Sequence, residues 1–215
     1  LLEHLNATYP ERIEELFNDA IFSYANIPYK IKKFKKIAEN PKETIDFDFE
    51  NHNKILNLVD ELGSDGRLLL NNDKDVYHVT LCEKLLVLSL AKICNYVPGA
   101  GIWLNTQRPE WNDANNALVG NGCSMVTVYY LKRFLKFFKK IIARIEIKEV
   151  KISHEVFFWF NEVEAVVSNN LSISHDSCSD SDRMDFVSKL GTIVQSYRES
   201  IYSSGFRTLK NFSWN

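Results

Sequence analysis

Apolar residues return every third or fourth position along most of the chain, and that period predicts helices. Ile13, Leu16, Phe17, Ala20, Ile21 and Tyr24 form the first stripe. It follows Thr8-Tyr9-Pro10-Glu11, which matches a capping box with Pro10 in the first turn. Ile31, Phe34, Ile37 and Ala38 predict a lysine-rich helix over residues 29–39, bounded by Pro28 and Pro41. A third helix runs into Ile55, Leu58, Val59 and Leu62, and Gly63 is its natural stop.

The clear β signal lies at residues 67–70 and 76–80, which flank Asn71-Asn72-Asp73-Lys74-Asp75 and predict a small hairpin. Helix resumes over residues 81–96 and stops before the loop Pro98-Gly99-Ala100-Gly101. Leu131, Phe134, Leu135, Phe138, Ile141, Ile142 and Ile145 make one stripe, which predicts the longest helix over residues 124–147. Two more helices carry Val156, Phe157, Phe160, Val163 and Val167, then Val187, Leu190, Val194, Tyr197 and Ile201. Between them residues 172–182, rich in Ser and Asp, predict a polar flexible loop.

The stripes amount to about seven helices on short connections. The expected class is mainly all-α: antiparallel helical hairpins with one small β-hairpin, in a single domain over residues 1–215. With 45% hydrophobic residues the chain can bury a real core. It begins without methionine and directly in helix-like sequence, so it is expected to be a piece of a longer protein.

Charge removes several function classes. With 26 basic and 28 acidic side chains the formal net charge is -2, so nothing global favours nucleic acid or an anionic membrane. No apolar run reaches the roughly 20 residues that span a bilayer, and Leu1-Leu2-Glu3-His4 lacks the basic and apolar regions of a signal peptide. Cysteines at 82, 94, 123 and 178 have neither metal-site pairing nor disulfide-scaffold density. They read as reduced thiols of a cytoplasmic protein. His78 and His154 are isolated, no cluster has metal-ligand spacing, and neither Gly99-Ala100-Gly101 nor Gly120-Asn121-Gly122 is a dinucleotide fingerprint. Neither a metal nor a cofactor is expected. Asn6, Asn170 and Asn211 open N-x-S/T sequons that chance explains in so Asn-rich a chain. The basic face of Lys132, Arg133, Lys136, Lys139, Lys140 and Arg144 reads as a solvated helix surface.

Residues 99–122 differ from the rest. They hold Trp103, Arg108, Glu110, Trp111, Asp113 and several Asn, with no helical stripe. Sugar sites use this mixture, because an indole face covers the apolar side of a pyranose while Asn, Asp and Arg bond its hydroxyls. A carboxyl beside a large apolar ring can also have its pKa raised, as a general acid requires. On residue types alone Trp111, Asn112 and Asp113 read more readily as caps and anchors of the next helix. Glu110 and Asp113 as an acid/base pair, or Glu110 as an ordinary exposed side chain, also stay open.

Trp111-Asn112-Asp113-Ala114-Asn115-Asn116-Ala117-Leu118-Val119-Gly120 resembles the Gly-Asp-Trp-Asn-Asp-Gly-Met-Asn segment, followed by Val-Gly, of cellobiose and chitobiose phosphorylases and their inverting glycoside-hydrolase relatives. Residues 124–135 resemble the helix that follows. Glu110, Ala114 and Asn115 stand where that family has Asp, Gly and Met. The resemblance implies part of an (α/α)6 toroid, with Asp113 as the general acid that protonates the glycosidic oxygen. It implies a sugar contact for Trp111, to which the residue types add Asn112, Asn116 and Arg108, and an oligosaccharide or glycoside substrate attacked by either inorganic phosphate or a base-activated water, with the remainder of the parent protein as partner. The reading from another class is a non-catalytic helical module that binds sugar or protein.

Overall fold

A computed structural model of the chain describes residues 1–105, 120–145, 149–174 and 178–213. Among them are eight α-helices: α1 (Leu2–Thr8), α2 (Pro10–Asn18), α3 (Phe34–Glu39), α4 (Phe49–Leu62), α5 (Leu81–Ile93), α6 (Met125–Arg144), α7 (His154–Asn169) and α8 (Asp180–Ser204). Short strands are interspersed: β1 (Phe22–Ser23), β2 (Tyr29–Ile31), β3 (Ile45–Phe47), β4 (His78–Val79), β5 (Tyr96–Val97), β6 (Gly101–Trp103), β7 (Cys123–Ser124), β8 (Glu149–Ser153) and β9 (Leu209–Ser213). The protein is mainly helical.

The predicted stripes face the core. Leu85, Leu86 and Leu90 of α5 meet Val156, Trp159 and Val163 of α7 and Leu190 and Val194 of α8, with Ile13 and Phe17 of α2 and Phe138 and Ile141 of α6 completing the cluster. Each such side chain contributes about 1.5–3 kcal/mol through burial. Local signals fix the helix ends. Asp48, Thr80, Ser124 and Ser179 each accept a backbone N–H in the first turn, and Ser179 with Asp182 forms a reciprocal capping box. Gly63, at φ 67°, ends α4 as expected.

Elsewhere the predicted elements change. The first predicted helix ends at Asn18, because Phe22–Ser23 leave to pair with His78–Val79. Ile21, read as a stripe position, is 55% exposed. The capping box at Thr8 is absent: Thr8 closes α1, its hydroxyl donates to the His4 carbonyl at 3.0 Å, and Tyr9 caps α2 without a side-chain bond. Residues 29–39 split into β2, which pairs antiparallel with β3, and the short helix α3. The turn over residues 71–75 forms, with the Asn71 N–H donating to the Asp75 carbonyl at 2.8 Å. Its second arm, however, pairs through His78–Val79 with β1 rather than extending the hairpin.

Two further sheets were not expected either. The predicted loop at residues 98–101 is the turn between β5 and β6, and β7 completes a three-stranded sheet. β8 and β9 pair over five residues from Glu149↔Ser213 to Ser153↔Leu209. The longest helix is α8, at 25 residues against 20 for α6. It starts at Asp180, so the predicted polar loop at 172–182 loses its last three residues to a helical turn, and its first part holds the 3-10 turn Leu171–Ser174. Residues 175–177 lie outside those described.

Candidate functional site

The segment singled out in the sequence is anchored by the three-stranded sheet. The Leu104 N–H donates to the Gly122 carbonyl at 3.0 Å, and the Gly120 N–H donates back to the Leu104 carbonyl at 2.6 Å. The Trp103 indole N–H donates to the Gly120 carbonyl at 3.2 Å. The Asn105 amide donates to the Asn95 side-chain oxygen at 2.9 Å. Gly120 has φ 78°, and a Cβ there would meet the Pro41 carbonyl at 2.7 Å, so the close approach requires glycine. Both ends of the segment are therefore held side by side.

Arg108, Glu110, Trp111, Asn112, Asp113 and Asn116 lie outside the described residues. The flanks that hold them border an open cavity of about 370 Å³, lined by Trp103 and residues 120–123 on one side and by Phe34, Val97, Met184 and Val187 on others. Among the described residues its charged lining groups are Asp180 and Arg183. Arg183 pairs with Asp180 and donates to the Pro98 carbonyl at 2.9 Å and the Cys178 carbonyl at 3.4 Å. This guanidinium ties α8 to the turn between β5 and β6.

A second polar cluster had not been singled out. Glu83, fully buried in the first turn of α5, accepts from the Ser153 N–H at 2.8 Å, the Ser153 hydroxyl at 2.8 Å and the Tyr24 hydroxyl at 3.0 Å. The Tyr77 hydroxyl shares a hydrogen bond with Ser153 at 2.9 Å. Burial raises the Glu83 pKa, the three donors pull the other way, and the neighbouring Glu155 charge adds to the rise. Burial also raises Tyr24 and Tyr77. With no exposure, Glu83 joins α5 to β8 and has no route to a substrate.

Glu155 sits beside this cluster in the first turn of α7. It is 4% exposed, and neither carboxylate oxygen makes a hydrogen bond. Its ion pair is with Arg207, whose Nε stands 3.3 Å from Oε1 without hydrogen-bond alignment. The local chain explains how Arg207 arrives there. Gly205, at φ 64°, ends α8. Phe206 then stacks between Tyr24 and Tyr77, with ring centroids 5.3 and 5.2 Å away. Finally the Thr208 carbonyl accepts the His154 N–H at 2.8 Å. The signal that could have found this cluster is a carboxylate inside an apolar helical face: Glu83 stands among Leu81, Cys82, Leu85 and Leu86.

The remaining expectations can be placed as well. His78 is an exposed strand residue, and the basic side chains of α6 are exposed. Arg133 pairs with Glu3. The four cysteines are free, with Cys82 and Cys94 buried. Among the described residues no cluster of His, Cys, Asp or Glu could hold a metal ion, and no helix is long and apolar enough to cross a membrane. Compared with known proteins, the chain matches no family model and no curated protein sequence.

Proposed function

We propose that the chain is a segment of a carbohydrate-active enzyme, an inverting glycoside phosphorylase or hydrolase. In this reading Asp113 is the general acid, and Trp111, Asn112, Asn116 and Arg108 hold the sugar. The observation that carries it is where the segment is anchored. Its ends meet through paired hydrogen bonds at Leu104, Gly120 and Gly122, beside a cavity whose wall includes Trp103 and residues 120–123. Aromatic and apolar lining with few polar groups is what a pyranose face needs, and function is commonly carried on loops that a rigid scaffold holds at both ends. The helices would then be part of an (α/α)6 toroid completed by the rest of the parent protein, with an oligosaccharide as substrate and water or inorganic phosphate attacking the opposite face of the ring.

One observation favours the second reading, a helical module that binds sugar or protein without catalysis. The charged groups lining the cavity, Asp180 and Arg183, satisfy each other and nearby carbonyls, leaving no free base there among the described residues.

The two readings share sugar binding, so that is tested first. Cellobiose and chitobiose titrated into the isotope-labelled chain should shift the resonances of Trp103, Gly120, Asn121, Gly122 and Arg183. Shifts elsewhere, or none, would remove the sugar site from this cavity.

A further inference from the structure

A second cavity, of about 360 Å³, opens between α7 and α8, and its lining includes His154, Glu155, Phe158, Glu162, Thr192 and Ser196. Its two carboxylates and two of its hydroxyls present acceptors only, beside the Tyr197 hydroxyl, the His154 imidazole and the Arg207 guanidinium. Glu155 presents two buried oxygens with no hydrogen-bond donor, against a capacity for several. Glu162 adds a second carboxylate. The Thr192 hydroxyl spends its hydrogen on the Ser188 carbonyl at 2.8 Å, and the Ser196 hydroxyl spends its own on the Thr192 carbonyl at 3.1 Å. Both oxygens therefore keep lone pairs and have no proton left to give. Ser200 accepts from Arg207 at 3.1 Å, so it too acts as an acceptor. Two carboxylates and one guanidinium line the cavity; the guanidinium pairs with Glu155 and belongs to a side chain 57% exposed, on the coil after α8.

We propose that this cavity binds a small organic cation bearing a primary ammonium group, with Glu155 as its counter-ion and Arg207 as the occupant it displaces. An ammonium brings three donors and no acceptor, which matches the two unpartnered Glu155 oxygens and the hydroxyl oxygens of Thr192 and Ser196. A carboxylate buried without hydrogen bonds is costly, and a ligand that satisfies both oxygens removes that cost. Phe158, 51% exposed on the same wall, offers a ring face to the cation or to its alkyl chain. Arg207 sits at a distance that pairs the charges without aligning a hydrogen bond, so it holds the place without filling it. The inference does not rest on the sugar reading, since the residues of the two cavities do not overlap.

The probe is butylammonium, with butanol as its neutral counterpart and tetramethylammonium as a cation without donors, followed by resonance shifts on the labelled chain. Butylammonium should shift α7, α8 and Arg207, and the two controls should not at equal concentration. Glu155→Gln keeps the shape and removes the charge, and should weaken the ammonium by about tenfold or more. Arg207→Ala removes the ion-pair partner of Glu155, which should lower stability, but it frees the carboxylate and should tighten binding in the folded protein. The inference is overturned if butanol binds as well as butylammonium, if no probe binds the wild-type chain, or if Arg207→Ala weakens or abolishes the ammonium response in a folded protein.

Discussion

Ser153 and Glu83, 70 positions apart in sequence, are joined twice: the serine N–H donates to one carboxylate oxygen and its hydroxyl to the other, both at 2.8 Å. This pair of hydrogen bonds bridges the last residue of β8 to the first turn of α5, in the middle of the core. These donors favour the ionised carboxylate, but burial outweighs them. Burial raises the Glu83 pKa above its ordinary 4.5, so the folded state binds that proton more tightly than the unfolded chain does. The contribution of Glu83 is then full below the unfolded pKa and is lost as pH rises through the higher folded value. Wild-type stability should therefore fall relative to Glu83→Gln as pH rises upward from about 4.5. Glu83→Ala, which strands the Ser153 and Tyr24 donors, should cost about 2–4 kcal/mol. Denaturant unfolding of the three proteins across pH measures both effects, and a pH-independent gap between wild type and Glu83→Gln would count against the linkage.

Gly191 lies inside α8, where alanine would ordinarily gain about 0.5–1 kcal/mol of helix propensity. A Cβ there would stand 2.2 Å from the Phe34 ring, which α3 lays against the helix. Overpacking of this kind costs about 1–3 kcal/mol, so the clash outweighs the propensity. Gly191→Ala should lower the denaturation midpoint and also disturb the first cavity, because Phe34 is part of its wall. A stabilised variant would show that Phe34 moves aside at no cost.

The cysteines should react in two classes. Burial pushes the Cys94 thiol up to about 12 and raises Cys82 further still, so neither presents a thiolate at neutral pH. Cys123 and Cys178 are partly exposed. Alkylation followed by mass spectrometry should mark those two first, and Cys82 and Cys94 only with unfolding. Early labelling of Cys94 would mean that the core around its hydrogen bond from the Trp159 indole, at 3.3 Å, opens readily.

The long helices were legible because their period is local and repeated. Ile141 and Ile145 of one stripe, and Leu190 and Val194 of another, reach the core as the spacing predicts. The strands were not, because most are two or three residues long and their partners are distant. Val150 and Ile152 do alternate with Glu149 and Lys151, but β9 supplies their partner some sixty positions later. Residues 29–31 show the limit of a period read over a few positions, since Ile31 opens the helical stripe with Phe34 and Ile37 and also shares a strand face with Tyr29. At the site, sequence drew attention to a segment whose anchored ends border a cavity. It passed over Glu83 and Glu155, whose chemistry comes from burial and from distant partners.

The central proposal makes Asp113 the proton donor for glycosidic cleavage. The most direct test compares the intact parent protein with its Asp113→Asn variant on cello- and chito-oligosaccharides, with and without inorganic phosphate, measuring turnover, sugar binding and stability together. The amide keeps the shape but has no acidic proton to give, so turnover should fall about 10²–10⁴-fold while binding and unfolding midpoint stay unchanged. A variant that loses stability with no selective loss of turnover would make Asp113 a structural cap. Unchanged turnover would contradict the account.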